Sequence, residues 1–282
     1  MGETTSTKDA ALITGASSGI GRAVAHALAR RGHPLILGYS SGETRIRSVI
    51  EDLHGLYGTT CRAVHLDLRD PATAAENVDA VIADAGAVGC LVNNAGINDR
   101  TPAASADVAR MAEVFAINAL SPIALASVVG RHMIDRGIAG TIVNVTSVHE
   151  TIPITGGTFY CAAKAALGMS TKVMALEFAP HGIRVNSVAP GETATAMNGA
   201  DESDYLRITR PDIPFGRPAG VGEVASLVAY LASPDAAYVT GGSVTVDGGL
   251  SLTAAEANAR RGARAAGSAR DSHDPTGNER TA

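Results

Sequence analysis

The sequence predicts an α/β fold, a parallel sheet of seven strands with helices on both faces, and three observations carry that prediction. Short β-rich apolar runs alternate along the chain with longer segments whose apolar residues recur at helical spacing. The short runs are continuously apolar rather than alternating, as strands buried on both faces require. A glycine-rich turn joins the first run to the first helical segment, the place where open parallel sheets hold phosphate groups.

The strands read, in order, as AALIT (10–14), PLILGY (34–39), CRAVHLD (61–67), GCLVNN (89–94), GTIVNVTS (140–147), IRVNSVAP (183–190) and SVTVDG (243–248). The helices between them are IGRAVAHALARRG, TRIRSVIEDLHGLYG, PATAAENVDAVIADAG, the long segment 107–135, the segment 158–180 and VGEVASLVAYLAS, most with glycine or proline nearby. The interval 191–220 is irregular, with Pro211, Pro214 and Pro218 following Pro190 at the end of the sixth strand. Open α/β sheets bind ligands at that edge, so the interval is a candidate substrate lid. Residues 1–9 read as a flexible start and 10–253 as one catalytic domain. From 254 to 282 almost nothing apolar is larger than alanine, which predicts a disordered or partly helical tail, with an oligomer contact or a cover over the active site as the other reading.

Composition narrows the function classes. A hydrophobic content of 45% supports a real core, and a net charge of −5 offers no cationic footprint for nucleic acid. Cys61, Cys90 and Cys161 have no metal-like spacing, so no metal is expected, and three thiols in a chain this size suggest a reducing, cytoplasmic setting. The start lacks a basic region followed by an apolar run, and no uninterrupted apolar stretch reaches the roughly 18 residues of a membrane span, so a soluble protein is expected.

TGASSGIG (14–21) sets Gly15, Gly19 and Gly21 between strand and helix. Glycine permits the tight turn and the close approach of backbone to a pyrophosphate, whose charge the free N–H groups of the helix start would meet. Asp67 ends the third strand, where it could accept a hydrogen bond from an adenine amino group or simply cap the next helix. The stretch NNAG (93–96) ends the fourth strand beside the same crevice, and by itself it reads equally as a turn.

The stretch SVHETIPITGGTFYCAAK (147–164) holds four residues suited to proton chemistry: Ser147, His149, Tyr160 and Lys164. Histidine is the obvious proton carrier by its ordinary pKa. Spacing favours another assignment, because Tyr160 and Lys164 stand at i and i+4 on one face of a helix. An ammonium there is expected to favour the phenolate and lower the phenol's pKa, making Tyr160 the acid/base. Ser147, at the end of its strand, can donate to the reacting oxygen. No Gly-x-Ser-x-Gly elbow surrounds it, which argues against a hydrolase nucleophile.

Taken together, TGASSGIG, NNAG, Asn118, Ser147, the run from Tyr160 to Lys164 and Pro190-Gly191 resemble the short-chain dehydrogenase/reductase family over about residues 10–252. The resemblance implies a single doubly wound Rossmann-type domain, a nicotinamide cofactor, a small alcohol or carbonyl substrate, and usually a homotetramer or a dimer. It assigns Asn118, Ser147, Tyr160 and Lys164 to catalysis, with Asn118 completing a proton relay through water and Lys164 holding the nicotinamide ribose. It assigns cofactor contacts to Gly15, Ser17, Ser18, Gly19, Ile20, Gly21, Ser40, Ser41, Asp67, Leu68, Asn94, Ala95, Gly96, Tyr160, Lys164, Pro190, Gly191, Thr193 and Thr195, with Asn94 and Gly96 on the adenosine side and Thr195 meeting the carboxamide.

Members that prefer NAD end the second strand with a carboxylate that would repel a 2′-phosphate. Here Tyr39 stands at that place, followed by Ser40 and Ser41, with Arg45 or Arg22 in reach, so NADP(H) is favoured; NAD(H) stays open because position 40 is not arginine. The run TSVHETIP resembles the glucose 1-dehydrogenase branch, which implies that His149 lines a substrate pocket with Ser147 and Tyr160, and that Glu150 faces solvent or a partner subunit. Asn98 stands where that branch carries a glutamate, which puts glucose itself in doubt while leaving a sugar or polyol in view. A ketoreductase acting on an acyl or secondary-metabolite ketone fits the same catalytic residues. A non-catalytic cofactor-binding sensor would be expected to lack the tyrosine or the lysine, and both are present.

Overall fold

In the computed structural model, which describes residues 8–199, 202 and 204–253, the seven predicted strands form one parallel sheet in the order β3-β2-β1-β4-β5-β6-β7. The strands are β1 (Ala10–Thr14), β2 (Leu35–Tyr39), β3 (Cys61–His65), β4 (Val88–Asn93), β5 (Thr141–Val145), β6 (Arg184–Pro190) and β7 (Ser243–Val246). Residues 1–7 and the tail 254–282 lie outside the described residues, so the expectations made for them stand untested.

Side chains alternate across each strand and so divide the core into two layers. From β1, Ala11 and Ile13 point into the layer closed by α1 (Gly19–Ala29), α2 (Glu43–Tyr57) and α7 (Val221–Leu231), where Leu28, Leu53 and Val228 are buried. Leu12 points into the opposite layer, closed by α3 (Pro71–Ala85), α5 (Ser121–Arg136) and α6 (Thr158–Phe178), against Ile82, Leu125 and Met133. The edge strands depart from the expected burial, since β3 exposes Arg62, Ala63 and His65 and β7 exposes Ser243 and Thr245. Each edge has a neighbouring strand on one side only.

The segment 107–135 is not one helix. It comprises α4 (Val108–Phe115), a π-helical turn (Ala116–Leu120) and α5, with Pro122 in the first turn of α5. By length and composition Val108–Arg136 would suffice to cross a membrane, but more than half of its apolar window is buried inside the fold, as in a core helix. The π turn follows from Asn118, whose Oδ1 accepts from the Ile97 N–H (3.1 Å) and whose Nδ2 donates to the carbonyls of Ile97 (3.0 Å) and Val114 (3.1 Å). A side chain pulled into the neighbouring loop widens the helix locally.

The strand order reverses between β1 and β4, so their carboxyl ends diverge and open a crevice. Thr14 and Asn94 pin it open: the Asn94 amide donates to the Thr14 carbonyl (2.9 Å), and the Asn94 and Ala95 N–H groups donate to Thr14 Oγ1 (both 3.0 Å).

Candidate active site

A cavity of about 780 Å³ runs over the carboxyl ends of these strands, from the first helix to the start of α6. One end of it is the glycine turn. Gly15 and Gly19 take positive φ (68° and 56°), a conformation that side chains resist, and a Cβ on Gly21 would lie 2.2 Å from the Gly15 carbonyl oxygen. The helix α1 begins at Gly19 with no side-chain cap and no acidic residue in its first turn. Its N–H groups are therefore available to an outside anion.

One carboxylate already uses one of them. Glu202, from the irregular segment after β6, accepts from the Gly19 N–H at 3.0 Å and pairs with the Arg22 guanidinium. The carboxylate oxygens stand in for the oxygens of a phosphate, so the turn fits the pyrophosphate of a dinucleotide. Thr195 comes over the same place, 3.5 Å from where a Cβ of Gly19 would be.

Most of the residues singled out from the sequence reach the cavity wall. Ser17, Ser18 and Ile20 line it at the helix start, Ser40 and Ser41 after β2, Ala95, Gly96 and Asn98 after β4, and Pro190, Gly191 and Thr193 after β6. The structure does not place Gly21, Asp67 or Leu68 in the wall. Gly21 acts from behind, where its missing side chain admits Asn94. Asp67 is held by Arg69 through two side-chain nitrogens and the backbone N–H, and the capping of α3 falls to Asp70. Leu68 is buried and its carbonyl accepts from Ser121 Oγ at 2.7 Å. Asn94 lines the cavity, with its Nδ2 donating to the Thr14 carbonyl.

At the far end the four proton-bearing residues converge. Ser147 caps the short turn after β5, accepting from the His149 N–H at 3.2 Å. The His149 ring stands edge-on to Tyr160 at 6.3 Å, and its Nδ1 is fixed on the Ile152 carbonyl at 2.9 Å, so that nitrogen carries the proton. Lys164, only 4% exposed, donates to the Val145 carbonyl (3.0 Å), with its Nζ 5.8 Å from the Tyr160 ring centre. Gly96 closes the group: a Cβ there would meet Asn118 Oδ1 at 2.7 Å and Lys164 Nζ at 3.5 Å.

The electrostatics correct one expectation. The phenol of Tyr160 is held above its ordinary value, first by burial, with a hydrogen bond to Ser147 and the charge of Arg100 opposing it in part. Lys164 does not supply the dominant influence, because burial pushes the lysine itself down to about 8, against a smaller upward pull from Glu150. The two groups share one low-dielectric pocket, and burial moves them in opposite directions.

Glu150, expected to face solvent or a partner subunit, is half-buried: its Oε2 lies against Gly168 of α6 and its Oε1 accepts from Ser243 Oγ at the surface. Glu202 and Arg100 were not foreseen; neither lies in a motif, and the Glu202 contact joins residues 183 apart in sequence.

The comparisons agree with this geometry. A family model described as enoyl-(acyl carrier protein) reductase matches residues 15–251. The crystal structure of acetoin dehydrogenase from Enterobacter cloacae is similar with a TM-score of 0.83 and 38% identity, covering 88% of this chain and 97% of that one. The 3beta-hydroxysteroid dehydrogenase 1 of Eggerthella lenta is 35% identical, covering 86% of this chain and 93% of its own. A 3-oxoacyl-[acyl-carrier-protein] reductase of Vibrio cholerae is 37% identical, covering 85% and 96%. Fold, matched length and identity agree that the chain belongs to the short-chain dehydrogenase/reductase family, as an oxidoreductase that acts on a CH–OH or carbonyl group with a nicotinamide cofactor.

Proposed function

We propose that the protein interconverts a secondary alcohol and a ketone with NADP(H), with Tyr160 as the acid/base, Ser147 as the hydrogen-bond donor to the reacting oxygen and Lys164 as the ribose-binding ammonium. The observation that carries this reading is the convergence of Ser147, Tyr160 and Lys164 in the cavity that begins at the glycine turn and the start of α1. When bound, the nicotinamide accepts or supplies the hydride. In the oxidation direction Tyr160 takes the proton from the alcohol while Ser147 holds its oxygen, and in reduction the phenol returns it. Asn118 has its amide committed to Ile97 and Val114, so its share in a water-mediated relay from Lys164 would fall to its backbone carbonyl.

The preference for NADP(H) rests on the end of β2. Tyr39, Ser40 and Ser41 put no carboxylate there, and Arg45 lines the cavity beside them, folded back against Gly42. Both features suit a 2′-phosphate. The assignment of Asn94, Ala95, Gly96 and Thr195 to the cofactor is part of the same reading.

For the substrate, Asn98 Oδ1 is buried without a partner. Such an orphan is costly unless a ligand donor meets it. With His149 fixed through Nδ1, its Nε2 has no partner among the described residues. Two free acceptors in the wall of the same cavity suit a substrate with a further hydroxyl, a hydroxyketone or polyol, which accords with acetoin as the named substrate of one relative. The alternative is a ketone on an acyl chain, favoured by the apolar Ile152, Ile154, Met197 and Leu250 of the wall. We place the enzyme in the cytoplasm as a homotetramer; exposed Met169, Val173 and Leu176 on the outer face of α6 offer an apolar stripe to a second copy.

The test is turnover of a panel of hydroxyketones, polyols, sugars and acyl ketones with both cofactors. Tyr160→Phe should lose about 10²–10⁴ in kcat while still binding NADPH. A Tyr160→Phe variant as active as wild type would end the mechanism, and activity on acyl ketones alone would replace the polyol reading.

A further inference from the structure

The loop after β4 presents Asn98 and Arg100 to the cavity and turns the residue between them inward. That residue, Asp99, is buried, and its carboxylate accepts from the Thr101 N–H (3.2 Å), from Thr101 Oγ1 (3.1 Å) and from Arg110 Nε (3.0 Å). Arg110, on α4, also donates to the Asn98 carbonyl at 3.1 Å, so one guanidinium holds two successive residues of the loop. From the other side the loop before α6 packs on Arg100: Gly156 takes a φ of 76°, and a Cβ on it would lie 2.9 Å from the Arg100 carbonyl oxygen. The backbone that carries Arg100 is therefore held on both sides.

The clamp also decides which arginine Asp99 neutralises. It pairs with Arg110, and the side chain of Arg100 has neither an ion pair nor a hydrogen bond among the described residues. Among those residues the cavity wall has two carboxylates, and both are engaged elsewhere: Glu192 pairs with Arg210 (2.6 Å), and Glu202 pairs with Arg22 at the phosphate end. Of the other cations in the wall, Lys164 is buried on the Val145 carbonyl, and Arg45 stands beside Ser40 and Ser41 after β2. Arg100 is left as the cation open to a ligand at the end of the cavity that holds Tyr160, whose phenol feels its charge. A guanidinium fork matches the oxygens of a carboxylate or phosphate through two parallel bonds. The neutral Asn98 adds no charge that would repel such a group.

We propose that Arg100 is a specificity-determining residue: its guanidinium binds a carboxylate or phosphate on the substrate, so that the alcohol or ketone taken by this cavity is an anionic one, such as a hydroxy acid and its oxo acid, with Asn98 meeting a hydroxyl of the same molecule. The proposal rests on the reading of Ser147, Tyr160 and Lys164 as an alcohol–ketone site given above.

The experiment measures kcat/KM for oxo acids of graded chain length against their primary amides, which match the carboxylate in shape without its charge, and for dihydroxyacetone phosphate against dihydroxyacetone. Wild type should favour the anion in at least one such pair by about 10–100-fold, and Arg100→Met should remove that preference. Because Arg100 also acts on Tyr160, the ratio within a pair is read rather than the rate, since a change at Tyr160 alters both members alike. Arg100→Lys keeps the charge without the fork and should retain part of the preference. The pair that shows it tells carboxylate from phosphate. Equal turnover of neutral and anionic partners by wild type, or a preference that survives Arg100→Met, overturns the proposal. So does a loss of NADPH affinity in Arg100→Met as large as the loss of preference, because the charge would then serve the cofactor. Calorimetric titration of the NADP-bound enzyme with the same oxo acids and amides separates this inference from the catalytic reading. Tighter binding of the acid that disappears in Arg100→Met, in a protein that reduces neither compound, would sustain Arg100 and refute the catalytic assignment. Turnover with no difference between acid and amide would do the reverse.

Discussion

Replacing Glu202 by alanine should tighten the binding of NADPH. In the described structure the Glu202 carboxylate occupies the anion site at the start of α1, accepting from Gly19 and pairing with Arg22. A dinucleotide must displace it, so the apparent affinity is reduced by the fraction of molecules in which the site is closed. Hydrogen bonds to charged groups contribute about 1.5–3 kcal/mol and exposed ion pairs well under about 1 kcal/mol. Because the side chains of Arg22 and Glu202 are 46% and 21% exposed, the lower end applies. A closure worth about 1.5 kcal/mol leaves roughly one molecule in ten open, so Glu202→Ala should lower Kd about tenfold. Glu202→Gln should fall between, since its amide oxygen can still accept from Gly19. Calorimetric or fluorescence titration with NADPH at low salt reads the effect, and the wild-type penalty should shrink as salt screens the Arg22 pair. Unchanged or weaker binding in Glu202→Ala would show that the carboxylate does not compete with the cofactor, and would refute the reasoning.

Two further predictions follow from named contacts. Lys164→Met should inactivate the enzyme yet stabilise it at neutral pH by on the order of 2 kcal/mol, because holding a buried ammonium whose pKa is pushed down to about 8 from 10.5 opposes folding. The sign is fixed by linkage: the unfolded chain holds this proton longer, so wild-type stability should gain a component that rises between about pH 8 and 10.5 and is absent from the variant, which denaturant titrations across that range would detect. Arg45→Ala should weaken NADPH binding about tenfold and leave NADH binding within a factor of two, as expected for loss of one charge-assisted contact to a 2′-phosphate. Equal losses for both cofactors in paired titrations would remove the basis for the NADP preference.

What was legible in the sequence is what depends on near neighbours along the chain. All seven strands were located within a few residues, because buried parallel strands are short apolar runs between turns. Tyr160 and Lys164 could be paired because one helical turn brings them together wherever the helix lies. The π turn at Asn118 left no such trace, since its cause is a bond to Ile97 in a distant loop. The pairing of Asp67 with Arg69, two residues on, was equally silent in the sequence, because it depends on how the turn after β3 folds. Glu150 and Glu202 were beyond reach for a common reason: each acts at a glycine, Gly168 or Gly19, through an interaction across the fold, and a glycine in sequence does not say what fills the space it leaves.

The charge balance was the least legible property, and it bears most directly on catalysis. Spacing suggested that Lys164 activates Tyr160, but spacing says nothing of solvent, and burial moves the two groups in opposite directions, the lysine down and the phenol up. Even with the flanking charges of Glu150 and Arg100 in place, the lysine lies below the phenol, so in the free protein the lysine's proton leaves first. Those two charges narrow the gap without reversing the order. The carboxylate of Glu150 lies on the lysine's side and favours the ammonium, while Arg100 lies on the tyrosine's side and favours the phenolate. An oxidised nicotinamide would add a third charge in the same sense as Arg100. On this argument neutralising Arg100 as Arg100→Gln should move the tyrosinate titration toward alkali, read from the ultraviolet absorbance of the phenolate, and an unmoved titration would count against the role of that charge.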